Sequence, residues 1–315
     1  MAARLCGSGV VCYAIWRGEL WLLLGRERDT PGWHQGSRRW SSFSGRAEGS
    51  ESALQNAARE FVEEACAAVA LDDDGDVPVR PAVVEKSLAR AGVLERRFTT
   101  ARGEAARHVT YVARVRRAEQ PTVFAAFRCQ LLRLDAVFRC LYRARKGCEV
   151  APRMALPGFE MSPQLTTQDF EVEEAGAGAA QLALALWDGR GREVVRLQIS
   201  GAAAAELRRV REAQATVRAY LEAHAADPVM AHPAVRVARV GGVVAHARVD
   251  LAYLEKSELR WFHAEELLRA RLGGELSDNF RRCFVEALPD VVSCVLDVEG
   301  GRGASVGAPG ASVVE

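Results

Sequence analysis

Residues 45 to 67 read GRAEGSESALQNAAREFVEEACA. Leu54, Ala57, Ala58, Phe61, Val62 and Ala65 recur at i, i+3, i+4, i+7, i+8 and i+11, the stripe of a helix packed on a core. Ser52, followed three residues later by Gln55, reads as a capping box and starts the helix. On the opposite face Glu60, Glu63 and Glu64 stand three and four apart near the C-terminal end. Like charges at that spacing repel by on the order of a few tenths of a kcal/mol per pair, and the helix dipole disfavours anions there. A solvated acidic face tolerates this crowding. So does a bound divalent cation, because hard ions take carboxylate oxygens.

The spacing decides between them. Gly45, five residues, Glu51, seven residues, Arg59-Glu60, apolar Phe61, one residue, then Glu63-Glu64 resembles the Nudix box. The resemblance implies an α/β Nudix fold, a mixed sheet sandwiched between helices, whose loop–helix–loop holds Mg²⁺ or Mn²⁺. It implies hydrolysis of a diphosphate linkage in a nucleoside diphosphate derivative: a nucleotide, a dinucleoside polyphosphate or a capped RNA end. By position, Glu60, Glu63 and Glu64 become metal ligands, joined by the carbonyl of Gly45, while Glu51 and Arg59 pair to brace the loop. Replacing Glu63 or Glu64 by Gln should then remove an anion from an exposed cluster and spare the fold. One position departs from the pattern: the glycine after the helix is Cys66 here. Either the helix runs on through Val69, or the turn there is strained.

The rest of the chain fits around that stretch. Residues 8 to 26 read as a hairpin about Arg17-Gly18, 27 to 39 as a loop, and Trp40 to Phe43 as a short strand delivering Gly45. The loop carries Trp33, Arg38 and Arg39, candidates for stacking on a base or holding a phosphate. After the box, LDDDGD (71 to 76) is an acidic turn, and strands are predicted near 82–88, 94–99 and 108–115. A long amphipathic helix spans 120–146, with Phe124, Phe127, Leu131, Leu134, Phe138, Leu141 and Tyr142 on its apolar side. Three prolines break the chain over 150–164, a hairpin is predicted over 181–199, a helix over 202–226 and a Gly-Gly hairpin over 235–251. YLEKSELRWFHAEELL (253 to 268) resembles the strand and helix that close many Nudix domains. Its Glu255 and Glu258, alongside the box glutamates Glu60, Glu63 and Glu64, are candidates for the general base. The terminal helix is predicted over 276–296, interrupted at Pro289. Domain boundaries follow: Nudix residues 1–117 and 245–298, a long α+β insertion at 118–244, and a disordered tail at 299–315.

Composition excludes several classes. A net charge of +1 gives no global field for nucleic acid or membrane, and no apolar run is long enough to span a bilayer. The N-terminus lacks the apolar core of a secretory signal. Eight cysteines without paired spacing point to free thiols in a reducing compartment, cytoplasm or nucleus. Locally the picture differs: residues 80 to 146 hold sixteen basic and five acidic side chains, an excess that could draw a polyphosphate or RNA end. The rival class is a non-catalytic Nudix-fold module that binds a nucleotide or RNA. The sequence leaves the oligomeric state open.

Overall fold

The structure, a computed structural model, describes residues 3–71, 77–100, 102–115, 119–146, 170–174, 181–187, 193–200, 202–240, 243–276 and 278–305. The acidic turn, the proline-rich break and the end of the tail lie outside them. β1 (Arg4–Trp16) and β2 (Glu19–Glu27) form the predicted hairpin, with Arg17 and Gly18 both at positive φ in its turn. The short strand before Gly45 is two pieces, β3 (Trp40–Ser41) on β2 and β4 (Phe43–Arg46) on β1. α1 (Ala53–Glu64) follows, its capping box made by Ser52 and Gln55 in both directions. Residues 81–88 are not a strand but α2 (Pro81–Leu88). Pro81 stands in its first turn, where a missing N–H costs nothing. Val84 and Leu88 are its buried residues, four apart on one face. β5 (Gly92–Thr99) and β6 (Ala105–Arg114) pair antiparallel, and α3 (Gln120–Lys146) is the long helix. Its apolar side is buried as read, except Tyr142, which is exposed.

The chain forms two compact units, residues 1–129 with 251–315, and residues 130–250. The second is α+β. β7 (Phe170–Glu174), β8 (Gln181–Trp187) and β9 (Glu193–Ser200) make an antiparallel sheet. α4 (Ala202–Ala223) buries Val210, Val217 and Leu221, and β10 (Val235–Val240) with β11 (Val243–Val249) is the second predicted hairpin.

The first unit resumes with β12 (Lys256–His263), α5 (Ala264–Leu272) and α6 (Arg282–Ser305). Its seven-stranded mixed sheet runs β12-β2-β1-β6-β5, β6 lying parallel to β1. Alternation along the central strands sends side chains to opposite faces. Val11, Tyr13, Leu22 and Leu24 join Leu267, Phe284, Leu288, Val291 and Val295 from the closing helices. The other face meets α1, where the rings of Phe43 and Phe61 stand edge to face at 5.3 Å. Pro289 does not interrupt α6. The helical carbonyl it leaves without a donor is that of Val285, and Arg271 Nε donates to it at 2.9 Å. α6 also continues to Ser305, into the segment expected to be a disordered tail.

Candidate active site

The loop from β4 into α1 is held by side chains on both its flanks. Asn56, fully buried on α1, donates through Nδ2 to the carbonyl of Arg46 at 2.9 Å. Arg59 grips Glu51 through two contacts, Nε to Oε1 at 2.8 Å and Nη2 to Oε2 at 3.1 Å, and adds a bond to the Arg46 carbonyl at 3.0 Å. Its Nη1 also lies 2.9 Å from Glu60 and 3.0 Å from Glu63. This company pushes the guanidinium even further toward its charged form, the bond to Glu51 contributing most. A Cβ at Gly45 would overlap the carboxyl group of Glu60, the movable end of that side chain. The backbone at Gly45 and the Glu60 carboxyl are therefore in contact. Burial pushes the Glu60 carboxyl up to about 7, against the pull of Arg59.

α1 ends at Glu64 in a Schellman motif. Ala67 N–H donates to Val62 O at 2.6 Å and Cys66 N–H to Glu63 O at 3.0 Å. Cys66 and Ala67 both sit at positive φ, 55° and 46°. Of the two outcomes open at this position, the strained turn is the one adopted.

The three glutamates do not form one exposed cluster. Glu64 is 4% exposed. Its Oε2 accepts the Ser44 N–H at 2.6 Å and its Oε1 faces Lys256 Nζ at 3.2 Å. Burial raises the Glu64 carboxyl above the usual carboxylate range and the ammonium opposes this. Lys256, wholly buried on β12, also donates to Glu27 at 2.6 Å and to Ser41 Oγ at 2.7 Å. Glu27 accepts in addition from Ser41 Oγ at 2.8 Å and from Arg281 at 3.3 Å. Lys256, Glu27, Ser41 and Arg281 were not singled out from the sequence. They come together because β12 pairs with β2, β2 with β3, and β3 with the start of α6, where the Arg281 N–H donates to the Trp40 carbonyl.

Of the two candidate bases, Glu255 lies close enough to Glu60 for their charges to interact. Burial is the largest cause of its raised carboxyl pKa. Glu258 is half-exposed and faces Arg26 at 3.8 Å and Arg260 at 3.2 Å. In the 27–39 loop, Arg38 is paired with Asp29, and Arg39 serves the backbone by accepting from Glu27 N–H. Trp33 covers Gly36 and receives the Arg281 guanidinium over its ring at 5.2 Å. A cavity of about 530 Å³ opens beside Ser44 and Gly45, walled by Arg46, Arg96, Arg97, Phe98, His108 and Arg281. Burial first, and Arg96 second, holds the His108 imidazole below its ordinary range. Of the helix arginines in the basic stretch, Arg139 pairs with Asp135 of its own helix at 2.7 Å.

Among the described residues, no three His, Cys, Asp or Glu side chains converge as a ready ligand set. The chemistry of the donors nevertheless suits a hard divalent ion at Glu60 and Glu63, beside the Gly45 backbone and near Glu255. Each of the three box glutamates already faces a cation, Glu60 and Glu63 the Arg59 Nη1 and Glu64 the Lys256 Nζ, so an ion placed there would share its carboxylates with these side chains. The seven described cysteines are free thiols, and no helix among the described residues is long and apolar enough to cross a membrane.

The box spacing and the strand order of the first unit together resemble a Nudix fold. No protein-family model and no curated protein sequence matches the chain. Among solved structures it is similar to the Ap4A hydrolase of C. elegans, with 17% identity, 38% of this chain and 72% of that one covered, and a TM-score of 0.24. It is also similar to the Nudix hydrolase RenU of M. smegmatis, with 17% identity, 37% and 64% covered, and a TM-score of 0.25. The Nudix domain of Shewanella oneidensis NrtR, solved with ADP ribose, matches at 16% identity, 37% and 62% covered, and a TM-score of 0.21. The match spans under two thirds of the latter two chains.

Proposed function

We propose that the first unit hydrolyses a diphosphate linkage in a nucleoside diphosphate derivative, assisted by Mg²⁺ or Mn²⁺. One observation carries this reading: the Glu60 carboxyl packs on the Gly45 backbone, with Arg59 tying it to Glu51 and Glu63, at the edge of the arginine-walled cavity. Glu60 and Glu63 would hold the ion, with the Gly45 carbonyl beside them. Bound there, a divalent ion supplies Lewis acidity toward phosphate oxygens and a lowered pKa for an attacking water. Arg46, Arg96, Arg97 and Arg281 receive the phosphate chain; guanidinium forks match phosphate oxygens in pairs. Glu255 takes the proton of the attacking water, since Glu258 is committed to Arg26 and Arg260. Trp33, whose ring already carries the Arg281 guanidinium, offers an exposed aromatic edge to a base.

The test is a phosphate-release screen with Mg²⁺ and Mn²⁺ over nucleoside triphosphates, dinucleoside polyphosphates, nucleotide sugars and capped RNA. At least one class should turn over. Glu60→Gln and Glu63→Gln should each lower that rate at least about a hundredfold, equivalent to about 2.7 kcal/mol, with the far-UV CD spectrum unchanged. Tight nucleotide binding without turnover in any class would instead make the unit a binding module.

A further inference from the structure

The strand register carries the cavity away from the box. Side chains alternate along β4, so Gly45 and Arg46 serve opposite faces of the sheet. A Cβ on Gly45 would point at the Glu60 carboxyl, on the α1 side. Arg46 instead lines the cavity on the α6 side, together with Phe284, Ala287 and Val291 of that helix. Residues directly opposite in paired strands share a face. Arg46 is paired with Gly7, Gly7 with His108 and His108 with Arg96, which makes one row across β4, β1, β6 and β5. Three strand spacings of about 4.8 Å put Arg46 and Arg96 roughly 14 Å apart across the sheet.

The middle of this row is open, because Gly7 sends no side chain into it. The Gly45 carbonyl borders the gap: a Cβ on Gly7 would come within 2.3 Å of that oxygen. Two residues beyond Arg96, on the same face of β5, stands Phe98, 46% exposed at the cavity wall. Charge along the wall is unbalanced. Arg46, Arg96 and Arg281 stand against one carboxylate among the described lining residues, Glu286. Glu286 lies 3.8 Å from Arg96 and is shared with Arg282 at 2.7 Å. The Arg96 contact is long and half-exposed, so it contributes little and exchanges readily for a phosphate. A diphosphate cleaved beside Glu60 has both phosphates at the β4 end and leaves Arg96 unused. An uncharged sugar laid along the row would desolvate its cations without pairing them, which costs free energy.

We propose that the preferred substrate is a nucleoside polyphosphate whose chain is longer than a diphosphate, cleaved beside Gly45 and held beyond that point by Arg46, His108 and Arg96, with Phe98 stacking on the base at the far end. This deepens the hydrolase reading above and rests on it. Nucleoside triphosphates, dinucleoside polyphosphates and capped RNA ends share that chemistry; nucleotide sugars do not. Trp33, beneath Arg281, stays available for a second base where the chain carries one.

Steady-state kinetics with Mg²⁺ on a dinucleoside tetraphosphate, a nucleoside triphosphate and a nucleoside diphosphate sugar test this. Wild type should show kcat/KM for both polyphosphates at least about tenfold above the sugar, equivalent to about 1.4 kcal/mol. Arg46→Gln and Arg96→Gln should each raise KM for the tetraphosphate at least about fivefold more than for the sugar, with kcat nearly kept. Phe98→Leu should raise the tetraphosphate KM at least about fivefold, the lower end of what losing one base–aromatic stack costs. All three side chains are exposed, so the variants should keep the wild-type CD spectrum and melting temperature. A preference for the sugar, or equal KM changes on every substrate, overturns the proposal and leaves hydrolysis standing. No turnover of any substrate overturns both.

Discussion

Cys66 is a residue out of its usual place: the left-handed position of a Schellman turn, at φ 55°, normally belongs to glycine. A non-glycine residue there is strained by about 1–2 kcal/mol. Cys66 is also fully buried, and its thiol contributes about 1 kcal/mol of apolar burial. Cys66→Gly therefore trades relief of strain against lost burial and about 0.5–1 kcal/mol of added chain freedom. We expect it within about 1 kcal/mol of wild type in urea unfolding, whereas a β-branched Cys66→Val should cost roughly 2 kcal/mol or more. A large loss in Cys66→Gly would mean the thiol carries more than packing. Box residues were legible because helical spacing alone brings Arg59, Glu60 and Glu63 together. Lys256 was not, because only strand pairing carries it to Glu64. The one hint in the sequence was a lysine where this chain almost always writes arginine.

At the scale of elements, periodicity decided well where it was long and poorly where it was short. α1, α3 and the hairpins were legible. The strand predicted near 82–88 is α2 instead, and Pro81 in its first turn is the local signal that favours a helix start. β7 escaped notice because the glutamates of FEVEE look like part of an acidic stretch. The passage of α6 through Pro289 was invisible for a different reason: the replacement donor, Arg271, comes from α5. Arg271→Met should therefore cost about 1 kcal/mol by orphaning the Val285 carbonyl. In a Pro289→Ala background, where a helical N–H returns, the same change should cost measurably less. A double-mutant cycle in urea reads the difference, and a coupling near zero would mean the arginine bond contributes nothing to the helix.

Across the whole molecule, the local basic excess of residues 80–146 resolves into separate tasks. Arg96 and Arg97 wall the cavity, Arg128 holds the backbone of β12, and Arg139 pairs within its own helix. The cavity recruits Arg46 and Arg281 from far apart in sequence, so its basic character is a product of folding, not of the stretch that first suggested it. The same economy of lysine has a practical side. The amine of Lys256 is wholly enclosed, while Lys86 is exposed. An amine-specific acylating reagent should therefore modify Lys86 quickly and reach Lys256 only when β12 and α1 part. The protection factor at that single peptide, read by mass spectrometry, reports the opening free energy of the glutamate site in unaltered protein. Modification of both lysines at one rate would show that the enclosure is open in solution.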